Sequence, residues 1–131
     1  MTNHDTRTAH TLDPRQANEL VTKLYQAVDT REARCLEPFL SPSVTFQLGN
    51  NPPVSGKEAV LEINASFFTS IAAMAHTIDR VWLQGARIIC NGSVRYTRRD
   101  GSQLSIPFAT ILTTEGGIIE DYKVYADVSP L

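Results

Sequence analysis

The chain has 131 residues, 42% of them hydrophobic and 20% charged, with a formal net charge of −2; this suits one soluble globular domain and excludes wholesale disorder. Its basic residues cluster only at Arg95, Arg98 and Arg99, beside a turn, too small a patch for a duplex-binding face, so no nucleic-acid partner is expected. The apolar stretches fall well short of the roughly 20 residues of a membrane span, so no membrane partner is expected either.

Residues 1–12 are polar, without the apolar core of a leader peptide, and read as a flexible tail of a cytoplasmic protein, leaving 13–131 as a single domain. In that setting Cys35 and Cys90 are expected to be buried thiols rather than a disulfide. The glycosylation patterns Asn64-Ala-Ser66 and Asn91-Gly-Ser93 are then coincidental.

Asp13-Pro14-Arg15-Gln16 combines an N-cap acid, a proline suited to the first turn and a capping-box glutamine. Ala17, Leu20, Val21, Leu24, Ala27 and Val28 follow at helical spacing through about Asp29. Thr30 is expected to cap a second, short helix carrying Leu36, Phe39 and Leu40 and stopped by Pro42. A brief strand over Val44 to Leu48 leads into the loop at Gly49 to Pro53. Ser55-Gly-Lys-Glu58 reads as another capping box, opening a helix with the stripe Val60, Ile63, Phe67 and Ile71.

From His76 onward the period changes. Four β-rich runs, near 76–83, 87–98, 103–113 and 118–127, are separated by Gln84-Gly85, Asp100-Gly101 and Gly116-Gly117, which are tight hairpin signals. Gly92 or Pro107 would suit a bend or bulge. Helices followed by a meander give an α+β fold: a curved antiparallel sheet packed on three N-terminal helices and enclosing a pocket.

In the last strand, alternation places Asp121, Lys123, Tyr125 and Asp127 on one face and Glu120, Tyr122 and Val124 on the other. The polar line is expected to look into the pocket, with Asp121 moving a proton and Asp127 as second choice. The two carboxylates, roughly 20 Å apart along an extended strand, cannot both touch one reacting atom. His76 could shuttle a proton at neutral pH. Tyr25, Phe46, Phe67, Trp82, Phe108 and Tyr125 are candidate pocket lining; Gln47 could orient a substrate oxygen, and Lys123, which could pair with Asp121, is a further substrate contact. One histidine outside the tail and no Cys/His cluster make a metal site improbable. There is no Gly-x-Ser-x-Gly elbow and no glycine-rich phosphate cradle, and no cofactor is implied.

The order of elements resembles the nuclear transport factor 2-like superfamily, especially its SnoaL-like branch, over about residues 14 to 131. Phe46-Gln-Leu-Gly49, Pro52-Pro-Val-Ser-Gly56, His76, Tyr96-Thr-Arg-Arg-Asp-Gly101 and Ile118 to Asp127 carry the likeness. The resemblance implies a cone-shaped cavity, commonly a homodimer, and a pocket histidine near His76. Two chemistries of the superfamily are disfavoured. The base of ketosteroid isomerase falls near Gln47 and its second acid near Ser105 to Pro107, where no acid stands. The Arg-x-Asp pair of the epoxide hydrolases is missing from Leu104 to Thr110, although Tyr125-Ala-Asp127 is similar to their ending. A cyclase, isomerase or dehydratase acting on a small apolar carbonyl compound remains, with a non-catalytic ligand-binding or dimerisation module as the alternative. A homodimer is expected to pair through Val94, Tyr96, Arg98, Tyr122 and Val124 on the outer sheet face.

Overall fold

The computed structural model describes residues 11–131; the expected tail up to residue 10, with His4 and His10, lies outside them. Helix α1 spans Pro14–Asp29. Its capping box forms as expected: the Gln16 N–H donates to Asp13 Oδ1 at 2.8 Å, and the Asp13 N–H donates to Gln16 Oε1 at 2.9 Å. Ala17, Val21, Leu24, Tyr25 and Val28 form its buried face.

The next segment, Ala33–Phe39, is a 3-10 helix, and Thr30 closes α1 instead of capping it, its hydroxyl donating to the Ala27 carbonyl at 2.6 Å. Pro38 lies inside this segment, where it has no N–H for an α-helical bond. The chain then enters β1, Leu40–Leu48, which runs through Pro42. Helix α2, Lys57–Thr69, starts from Gly56 at φ 95° with no side-chain cap. Ser55 is still extended in the short strand β2, Val54–Ser55, too early to cap, and Glu58 pairs with Arg34 at 2.9 Å instead.

Strands β3 (Ala73–Gln84), β4 (Arg87–Thr97), β5 (Gln103–Glu115) and β6 (Ile118–Tyr125) make the expected meander. The curved, unclosed sheet has the order β2-β1-β6-β5-β4-β3. Pairing is antiparallel except for β1 and β6, which run parallel. Helix α1 packs against β3, while α2 packs against β1 and the 3-10 helix.

Two irregularities shape the concave face. In β3 the register shifts between Ile78 and Arg80, next to Gly92 of β4, where a Cβ would stand 1.8 Å from the Thr77 carbonyl oxygen. Only glycine allows the two backbones to meet there, so the expected bend falls at Gly92. In β6 the register shifts around Glu120: Thr113 pairs with Asp121 but Thr114 with Ile119. The extra residue puts both Ile119 and Tyr122 in the core, which strict alternation forbids.

The expected outer apolar strip is therefore corrected. Val94, Tyr96 and Tyr122 are buried on the concave side, and Val124 lines the inner cavity. Both cysteines are free thiols, Cys90 buried but Cys35 exposed. Among the described residues no helix is long and apolar enough to cross a membrane.

Candidate functional site

The open end of the cone holds two adjoining hollows. An outer cavity of about 580 Å³ lies between the Asn51 to Val54 loop and one face of α2. An inner one of about 40 Å³ reaches between α1 and the sheet. Phe46, Leu48, Asn64 and Phe67 line both, and so form the neck between them.

His76 lines the inner hollow. Its backbone N–H donates to Asp29 Oδ2 at 2.9 Å, and its Nδ1 lies 2.6 Å from Asp29 Oδ1. A carboxylate only accepts, so Nδ1 carries a proton, and in the neutral form of the ring the lone pair lies on Nε2. Nε2 has no hydrogen-bond partner among the described residues, yet is not sealed off from space. The Tyr25 ring, with its centroid 4.4 Å away, and the Phe108 ring at 5.1 Å hold the imidazole between them. The side chain is 7% exposed. Asp29 stands at the C-terminus of α1, where the helix dipole disfavours a carboxylate, and the two bonds from His76 offset that cost.

Phenols surround this pair. Tyr25 shares a 2.6 Å hydrogen bond with the buried Thr110 hydroxyl and accepts one from Tyr122 at 3.3 Å. Burial raises both phenols well above the ordinary range, so they stay protonated and uncharged. Tyr96, on β4, lines the same hollow. Burial first, and then the charge of Asp29, push its phenol up to about 12. No hydrogen bond ties the Tyr96 hydroxyl to another described residue, and it too is not sealed off. The inner hollow thus offers one proton acceptor and one unengaged neutral donor within an apolar wall.

Several expected site residues lie elsewhere. Tyr122, not Asp121, points toward the helices, so beyond the bulge the even-numbered residues of β6 look into the cone. Asp121 is on the convex face, taking a short hydrogen bond from the Thr45 hydroxyl. Lys123 shares that face, and Gln47 donates to the Asn51 carbonyl at 3.0 Å. Trp82 and Tyr125 are exposed, at 46% and 54%. Asp127 lies past the end of β6, exposed; hydrogen bonds from Ser129 keep its carboxyl below the usual range, so it stays ionised in water. The glutamate bulge accounts for the shift in face: it resets the alternation from which the odd-numbered line was read. Tyr25, Phe46, Phe67 and His76 do meet at the cavity, and Phe108 buttresses His76 from behind.

Asp29 and Tyr122 were not read as site residues from the sequence. Asp29 carried a legible signal, an acid in the last helical turn where a base is favoured.

A family model described as the SnoaL-like domain matches residues 21–122. The chain belongs to the SnoaL-like domain family. Solved structures with the same fold include a proposed SnoaL-like polyketide cyclase from Jannaschia sp. CCS1, at 16% identity and TM-score 0.77, covering 89% of this chain and 90% of that one. An NTF2-like protein of unknown function from Burkholderia pseudomallei superposes at 20% identity and TM-score 0.78, covering 88% and 93%. An LEH-like epoxide hydrolase from M. tuberculosis does so at 12% identity and TM-score 0.74, covering 86% and 84%. A search of curated proteins finds no match. Identities this low support the SnoaL-like cone and leave the chemistry to the residues inside it.

Proposed function

We propose that this SnoaL-like domain is an isomerase, cyclase or dehydratase acting by acid/base chemistry on a small, largely apolar carbonyl compound, with His76 as the proton carrier. The observation that carries the reading is the Asp29–His76 pair on the wall of an apolar hollow, with Nε2 unengaged and the neutral Tyr96 lining the same space.

In this scheme Nε2 takes a proton from the carbon beside the carbonyl. The electron pair of that C–H bond moves into an enolate, whose oxygen accepts a hydrogen bond from Tyr96. Asp29 accepts from Nδ1 throughout and stabilises the imidazolium that forms. The proton then returns to a different carbon, or leaves with a β-hydroxyl as water. Asp121 and Asp127, set apart from the hollow, take no part.

The test is deuterium uptake beside the carbonyl of 1-tetralone and related cyclic ketones in D2O, followed by NMR. The parent should catalyse uptake, His76→Ala should lose about 10²–10⁴-fold of the rate, and Asp121→Asn should leave it unchanged. Uptake by His76→Ala at the parent's rate would overturn the scheme. Ketone binding without uptake by the parent would favour the second reading, a non-catalytic ligand-binding module using the same cavity.

We also propose that two copies pair across the convex sheet face. Trp82, Ile89 and Ile111 lie in register across β3, β4 and β5, and Tyr125 adds a second exposed aromatic. Such a contiguous apolar surface is seldom left in water.

A further inference from the structure

Three of the four residues lining the neck between the two hollows are apolar, and the fourth is Asn64. Its amide orientation is fixed by chemistry. The atom 2.9 Å from the Val60 carbonyl oxygen must be the donating Nδ2, because two carbonyl oxygens do not bond. This internal bond ties the side chain to its own helix and leaves Oδ1 the free end. Oδ1 receives no hydrogen bond from any described residue and is not sealed from space. An amide oxygen beside Phe46, Leu48 and Phe67 is an acceptor held among apolar rings and chains.

The volumes divide a ligand into two parts. The inner hollow, at about 40 Å³, has room for little more than a carbonyl or hydroxyl group, since one water needs about 10–15 Å³ of such space. The body must lie in the outer cavity of about 580 Å³, which is ample for a fused two-ring compound. A ligand whose carbonyl oxygen reaches Tyr96 therefore passes its middle through the neck, beside Asn64 Oδ1.

We propose that Asn64 determines specificity: its Oδ1 accepts a hydrogen bond from a hydroxyl on the body of the substrate, which is thus a hydroxylated apolar carbonyl compound. This rests on the pocket reading above and adds to it a substrate class. An apolar body without a donor leaves Oδ1 dehydrated and unpaired, while a hydroxyl satisfies it. Asn64 touches no reacting atom in this scheme; it selects, and His76 reacts.

The experiment compares binding of 6-hydroxy-1-tetralone and 6-methoxy-1-tetralone by calorimetry. The methoxy compound keeps the ring and the oxygen but cannot donate. The parent should bind the hydroxy ketone about five- to tenfold more tightly, the yield of one hydrogen bond. Asn64→Leu should abolish the difference, and Asn64→Ala, which adds no bulk to the neck, should do the same. Thermal melts of both variants establish that they fold. Equal affinities in the parent, or a preference that survives in both variants, would overturn the role of Asn64 and leave the pocket reading standing. Failure of the parent to bind either ketone would overturn the pocket reading, and this assignment with it.

Discussion

On the concave face of the sheet, charge is scarce and hydrogen bonds are closed among neutral groups. Tyr122 donates to Tyr25, and Tyr25 pairs with Thr110; the charged exception is Asp29, facing His76 from the end of α1. On the convex face, Asp121, Lys123, Arg95 and Arg80 alternate with exposed aromatics. Formal charge marks the second face, and buried neutral polar groups mark the first. A charged side chain in water interacts weakly, whereas a neutral phenol or imidazole in an apolar wall acts at short range with little screening. In a cone of this kind, a search for cavity-lining polar groups guided by charge alone finds the outside of the molecule.

The sharpest way to break this contrast uses the cysteines. Cys90 lies on the concave face, and burial raises its thiol to about 11, whereas Cys35 is exposed. The thiolate is the reacting species, so at pH 8 a thiol raised by about two units has about 100-fold less of it than an ordinary one. Iodoacetamide should therefore label Cys35 at least about 100-fold faster than Cys90 in the native protein, with the two rates converging in denaturant. Mass spectrometry of the labelled peptides reads both rates. Equal native rates would mean the concave face is open to solvent.

Neighbours on β4 supply the next comparison. Val94 is 1% exposed and Arg95 points to solvent. Val94→Ala should cost about 2 kcal/mol through lost burial and a residual void, and Arg95→Ala should stay within about 0.5 kcal/mol, both from urea unfolding midpoints. The smallest effect concerns the convex patch. Trp82→Glu should halve the solution mass by light scattering if copies pair there. A parent that already runs at the monomer mass would remove the proposal.

Much of the architecture was legible because local rules enforce it. Asp13 and Gln16 form the capping box they spell, and the glycines at Gln84-Gly85, Asp100-Gly101 and Gly116-Gly117 turn every hairpin with positive φ. The site was less legible, and the reason is geometric. Alternation in β6 assigns faces only while the strand is regular, and the bulge at Glu120 reverses the assignment partway along. No residue in Ile118-Ile-Glu-Asp-Tyr announces that bulge, since the register belongs to the pairing with β5. Ser55 failed as a cap for a related reason: its pairing with Thr45 on β1 holds it extended. Asn64 was read only as part of a coincidental glycosylation pattern, because an asparagine within an amphipathic helix looks like a solvent-facing position until the loop opposite is in place.

Asp29 uses one oxygen for the backbone of β3 and the other for the ring of the same residue. Docking of the first helix onto the third strand and alignment of the imidazole are consequently one event rather than two. Any fluctuation that lifts the end of α1 from β3 unfastens the ring along with the strand, so there is no partly opened form that retains an aligned imidazole. The alignment of that ring is an internal gauge of tertiary closure: its loss on gentle heating would track the undocking of a single helix end, ahead of the melting of the sheet.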